Sequence, residues 1–128
     1  MKSKILVDTT IWIEFFRRKS KIADHLEMLL MENAVWTCGV VMFEVLQGIK
    51  LEGEKNKILS ILASLPYVEM TKKLWQSAAE ISILLKKNAV ILPLSDIFIA
   101  AVAIENDLSI YTLDHHFTQI PNLKLYKG

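Results

Sequence analysis

Four acidic residues stand where acids have little structural reason to be. Asp8 ends the apolar run Ile5-Leu6-Val7, and Glu44 sits inside Val40-Val41-Met42-Phe43-Glu44-Val45-Leu46. Asp96 opens the apolar stretch Ile97 to Ile104, and Asp114 closes Ser109-Ile110-Tyr111-Thr112-Leu113-Asp114. Taken singly, each has an ordinary explanation. Asp8 could cap the segment that begins at Thr10, Ser95-Asp96 could start a helix, Asp114 could belong to a turn, and Glu44 could face water. Glu44 fits its explanation least, because its helix is apolar on nearly every side and the nearest cation is Lys50. A carboxylate buried without a partner is very costly, so Glu44 needs a distant basic residue or a metal ion.

The cost of bringing the four together can be sized. Two carboxylates ~5 Å apart at an effective dielectric of ~20 repel by about 3 kcal/mol, and four groups make several such pairs. A divalent cation removes that penalty. A set of oxygen donors with neither cysteine nor well-spaced histidine suits Mg²⁺ or Mn²⁺ rather than Zn²⁺. An ion held this way keeps several waters, and its natural work is to bind a phosphate oxygen, lower the pKa of a water and stabilise in-line attack at phosphorus. The chemistry implied is that of a nuclease.

The elements that must position these acids follow from the apolar pattern. Ile5 to Val7 reads as a short buried strand and Thr10 to Phe16 as a helix ended by the basic run Arg17-Arg18-Lys19-Ser20-Lys21. Lys21 to Met31 carries Ile22, Leu26, Leu29 and Leu30 on one face, and 34–38 reads as strand. Helices are expected over Val40 to Ile49 and Lys57 to Leu65, a strand over 67–70, and a long helix from an N-cap at Thr71 to Lys87. A helix from Ile97 to about Glu105, a β-rich run over 109–114 and a last strand at Leu123 to Tyr126 complete the chain. Short apolar strands alternating with helices mean a mostly parallel sheet covered on both faces, a three-layer α/β/α sandwich. Ligands of such sheets bind beyond the carboxyl ends of the strands, which is where Asp8, Asp96 and Asp114 are expected.

The 128 residues contain no linker, repeat or low-complexity tract and read as one domain over 1–128. Apolar residues make up 52%, which is high for a small domain and points to a permanent partner, either a second copy or another protein. No apolar run approaches the ~20 residues of a membrane span, and the start lacks a signal-peptide pattern, so a soluble, cytoplasmic protein is expected. Cys38 is alone and reads as a small buried hydrophobe. A net charge of +1 gives no global basic field, so nucleic-acid contacts must be local, with Arg17 and Arg18 the clearest candidates.

At the level of motifs, "ILVDTTIWIEFF", "FEVLQGI" and "LPLSDIFIAAVAIENDLSIYTLDHHF" resemble a PIN domain of the VapC type, the toxin ribonuclease of type II toxin–antitoxin pairs. The resemblance covers essentially the whole chain. It implies a PIN-like fold and a metal-dependent endoribonuclease, usually dimeric, that is neutralised by a VapB-like antitoxin, with transfer RNA the favoured substrate. Matched by position, Asp8, Glu44, Asp96 and Asp114 are its acidic quartet, with Asp8 and Asp96 the foremost metal ligands and Mg²⁺ or Mn²⁺ the cofactor. Thr112 and Thr10 match hydroxyl residues that orient acids or bound waters. The chain departs from the pattern at His116, where members often carry another acid.

Other readings stand beside this one. A phosphatase of the D-x-D type would need an acid where Thr10 stands, and a silent PIN-like module would bind proteins without cutting RNA. His115-His116 reads as a polar turn, with a base or ligand as the alternative. Trp12, Trp36 and Trp75 are expected to pack in the core rather than stack on bases, and Trp12 is the one expected to touch a partner.

Overall fold

Ile5, Leu6 and Val7 are wholly buried and form β1 (Ile5–Val7), a strand with both faces covered. The computed structural model describes residues 3–17, 20–50 and 52–128. After β1 come α1 (Thr9–Arg17), α2 (Lys21–Met31), β2 (Val35–Cys38), α3 (Gly39–Gln47), α4 (Glu52–Ala63) and β3 (Tyr67–Val68). Then follow α5 (Lys72–Lys87), α6 (Leu94–Glu105), β4 (Ser109–Tyr111), a 3-10 turn (His115–Gln119) and β5 (Lys124–Leu125). Thr71 caps α5 as its sequence predicts, accepting from the Leu74 amide at 3.2 Å, and Ser20 caps α2 in the same way through Ala23 at 3.1 Å.

The five strands are parallel and run in the order β3-β2-β1-β4-β5. The chain therefore starts in the middle, steps outward to β2 and β3, and crosses back to β4 and β5. Right-handed crossovers in opposite directions put helices on both faces, which gives the three-layer α/β/α sandwich expected from the alternation. The reversal of direction falls between β1 and β4. The crevice beyond the carboxyl ends of those two strands is where a fold of this kind binds its ligand. In the ladder Val7 pairs with Tyr111, so Asp8 and Thr112 leave the sheet side by side.

Most of α6 is core. Ile97, Ile99, Ala100, Ala101, Val102 and Ala103 are all buried, and the alanines allow α5 to pack closely against it. The sequence places the start of α6 too late and that of α4 too late, and it lengthens the strands. Helix α6 begins at Leu94, behind a Pro93 that has no capping side chain, so Asp96 lies in its first turn. Helix α4 spans Glu52–Ala63 rather than 57–65, and β3 has two residues because 69–70 leave the sheet. Strand β4 stops at Tyr111, so Asp114 does not end a strand but caps the 3-10 turn through the His116 amide at 2.9 Å.

The tryptophans also divide differently from expectation. Trp12 is wholly buried, stacked on Phe16 and edge-on to Phe15, so it cannot touch a partner. Trp75 is half exposed and meets the edge of Phe98, and Trp36 lies under the Lys4 ammonium. Cys38 is buried, as expected. Among the described residues no helix is long and apolar enough to cross a membrane.

Candidate active site

The Asp8 backbone does the structural work that the sequence allows, and its side chain does something else. Its amide extends the β1–β4 ladder to the Tyr111 carbonyl at 3.0 Å, and its carbonyl accepts from Ile11 and Trp12 to start α1. Its carboxylate takes no helix amide. Oδ2 accepts from the Thr10 hydroxyl at 2.9 Å and the Thr112 hydroxyl at 2.8 Å. Each hydroxyl has one hydrogen, so both are committed to this single oxygen, and Oδ1 has no hydrogen-bond partner among the described residues.

The two threonines also hold the loop after β4. Thr10 Oγ1 accepts from the Leu113 amide at 3.0 Å, and Thr112 Oγ1 accepts from the Asp114 amide at 2.9 Å. Thr112 thus joins the acid of one strand to the acid that follows its neighbour. Asp96 is 7% exposed, and its Oδ2 lies 3.0 Å from His116 Nδ1, which is itself 3.2 Å from Asp114 Oδ1. Donor atoms of Asp96, Asp114 and His116 all lie within 4.8 Å of one another.

Glu44 corrects one expectation. Helix α3 is not buried all round: Phe43 is 65% exposed, and Glu44 is only half-buried, so its carboxylate needs no buried cation. Its Oε1 accepts instead from Thr9 Oγ1 at 3.0 Å, which ties α3 to the first turn of α1. Thr9 has no role in the sequence reading, although the doubled Thr9-Thr10 after Asp8 is a visible signal for it, and His116, read there as a turn residue with a base or ligand as the alternative, sits beside Asp96 and Asp114.

Electrostatics link Asp96 to Asp114 and Asp8, while Glu44 meets Asp8 only through their common effect on Cys38. The Asp96 carboxyl is held above its ordinary pKa chiefly by burial, with the charges of Asp114 and Asp8 pushing the same way and the His116 hydrogen bond opposing them. Burial also raises the Cys38 thiol, against hydrogen bonds from the Val41 and Val40 backbone, with the charges of Glu44 and Asp8 adding to the rise. Asp8 is common to both sets. A cluster of carboxylates with a free oxygen and one acid pushed toward its neutral form fits a hard divalent cation. Of the two basic candidates, Arg17 lines a groove that also reaches Glu44. Arg17 is exposed and pairs with Glu14 at 3.2 Å, and Arg18 falls outside the described residues.

Fold and site together define an α/β/α protein with an acidic centre at the strand-order reversal. The PIN domain family profile matches residues 5–123, and the chain belongs to that family. The structure is similar to VapBC2 from Rickettsia felis bound to a DNA fragment from their promoter, with a TM-score of 0.82 and 23% identity over 97% of this chain and 98% of that one. It is similar also to DNA-bound VapBC from Salmonella typhimurium, with a TM-score of 0.81 and 16% identity over 97% of each chain. Mycobacterium tuberculosis VapC20, a sarcin–ricin loop cleaving toxin, matches with a TM-score of 0.72 and 18% identity over 94% of this chain and 99% of that one. No curated protein sequence matches the chain. These neighbours bear out the resemblance to VapC-type PIN domains in the fold.

Proposed function

We propose that this protein is a divalent-cation-dependent endoribonuclease, the toxin half of a VapBC-type pair, acting in the cytoplasm. The observation that carries the reading is that Thr112 joins Asp8 to Asp114 and His116 joins Asp114 to Asp96 beyond the carboxyl ends of β1 and β4, with Glu44 held at the start of α1 by Thr9 and Asp96 pushed toward its neutral form chiefly by burial. Asp8, Asp96 and Asp114 would hold Mg²⁺ or Mn²⁺, with Glu44 closing the site from α3. When bound, such an ion lowers the pKa of a water and offsets charge on phosphate oxygens. The chain's own part is positional. Thr10 and Thr112 aim the Asp8 carboxylate, Thr9 aims Glu44, and the buried walls of α6 keep Asp96 in place.

The substrate is RNA, with defined loops of transfer RNA the first choice because unpaired bases can be read edge by edge. The sarcin–ricin loop cut by the similar toxin makes ribosomal RNA the second. An antitoxin partner fits a groove of about 570 Å³ between α1, α3 and α4, lined by Ile13, Phe16, Val45, Ile49 and Ile58 and reaching Glu44. An apolar segment laid there can set a basic side chain at Glu44 and silence the site. A second copy of the chain would cover Ile91 and Leu94, which expose 90% and 67% of their surfaces where the chain enters α6.

The test is incubation of purified transfer and ribosomal RNA with the protein in Mg²⁺, Mn²⁺ or EDTA. Cleavage is expected with either ion and none in EDTA. The fragments should lack 2′,3′-cyclic phosphate ends, because the nucleophile is water and not the 2′-hydroxyl. Intact RNA under every condition, from protein that binds Mn²⁺, would favour the silent protein-binding module instead.

A further inference from the structure

His116 stands at the position where the acidic pattern is broken, and although it is exposed, the fold ties it to the acids. Its backbone amide donates to Asp114 Oδ1 at 2.9 Å, while its ring Nδ1 lies 3.2 Å from that same oxygen and 3.0 Å from Asp96 Oδ2. The next residue, Phe117, is 1% exposed and anchors the 3-10 turn in the core. The ring is therefore fixed from two sides, half exposed, with one nitrogen turned to the point where two carboxylates meet. His115, its neighbour, is exposed and belongs to no such cluster.

We infer that His116 Nδ1 is a ligand of the divalent cation at Asp96 and Asp114, which makes this an oxygen–nitrogen site that selects Mn²⁺ over Mg²⁺. The inference rests on the metal site proposed above. Ligands ~2.1 Å from an octahedral ion and at right angles to each other are ~3.0 Å apart, which is the separation seen here on both sides of the imidazole. A hydrogen bond spans the same distance, so the geometry that pairs the ring with the acids also presets it for an ion. Mg²⁺ strongly prefers oxygen and water, whereas Mn²⁺, also chiefly an oxygen-bound ion, tolerates an imidazole nitrogen better than Mg²⁺ does. An acid at position 116 would make the site all-oxygen and restore the competitiveness of Mg²⁺.

Pulsed electron paramagnetic resonance of Mn²⁺ bound to the full chain reads the ligand directly. The parent protein should show nitrogen modulation of the Mn²⁺ echo, changed to the ¹⁵N pattern when the histidines are ¹⁵N-labelled, a result that needs no variant. His115→Gln should keep the modulation and His116→Asp should lose it. The ratio of Mn²⁺ to Mg²⁺ affinity should fall by at least about tenfold in His116→Asp. Circular dichroism confirms that each variant is folded. If Mn²⁺ binds and is lost in Asp96→Asn, yet shows no histidine nitrogen, the inference about His116 fails while the carboxylate site stands. If Mn²⁺ does not bind, or binds unchanged in Asp96→Asn, the metal site itself is wrong and the inference falls with it.

Discussion

Asp96→Asn is expected to lower RNA cleavage at least a hundredfold (about 3 kcal/mol of transition-state stabilisation) and at the same time to make the metal-free protein more stable. The variant keeps the shape of the side chain and an oxygen for the His116 ring, and removes one charge from a buried cluster. The sign of the stability change follows from the raised pKa of Asp96, whose first cause is burial. The folded chain then binds this proton more tightly than the unfolded chain does. Parent stability therefore falls as pH rises from the ordinary carboxylate value, about 3.9, through the raised one, and stays lower above it. Asparagine carries no such linkage. The variant should match the parent near pH 4 and melt about 2–6 °C higher at pH 7 in EDTA. Saturating Mn²⁺ should invert the order, because only the parent gains fully from the bound ion. Thermal melts with and without Mn²⁺, beside a cleavage assay, check all three parts. A variant that cuts RNA at the parental rate would remove Asp96 from the site.

What could be read in advance was whatever left a chemical anomaly in the local sequence. A carboxylate after Ile5-Leu6-Val7 is such an anomaly, and so Asp8 and the strand before it were both legible. The start of α6 was not, because Pro93 sets the backbone for a first turn without offering a capping side chain, and Leu94-Ser95 look like loop. The burial of Glu44 is not legible for a different reason: apolar neighbours do not imply burial, since Phe43 and Ile13 are apolar and exposed, and Ile13 lines the groove beside Glu44. Trp12 packs in the core as its apolar neighbours predict, which leaves it no surface for the partner contact also considered for it. His116 stands out in the sequence as a break in the acidic pattern, but its pairing is beyond local reading, because its partner Asp96 is 20 residues away and only the packing of the 3-10 turn against α6 joins them.

Thr112→Val is expected to cut cleavage by about 10- to 100-fold although Thr112 is assigned no contact with substrate. Valine fills nearly the same volume, so the core around β4 is unchanged while two hydrogen bonds go. The Asp8 carboxylate loses one of its two hydroxyl donors, and the Asp114 amide loses its acceptor. Losing both costs about 1–2 kcal/mol of stability, since the site is only partly buried and water can replace some of the bonding. The larger effect is on geometry. Asp8 follows β1 directly and Asp114 lies in the loop after β4, and one hydroxyl sets the spacing between them. A positioning role predicts that Thr112→Ser restores both cleavage and Mn²⁺ affinity, whereas a purely structural role predicts that melting temperature alone recovers. Thr10→Val provides the second half of the test. Because both hydroxyls donate to the same Oδ2, the first loss frees the carboxylate to turn, and the second removes a restraint already broken. The double variant should therefore lose less activity than the two single losses multiplied together. Fully multiplicative losses would mean that the two threonines act on separate parts of the site, and parental activity in Thr112→Val would mean that Asp8 is aimed by the strand ladder alone.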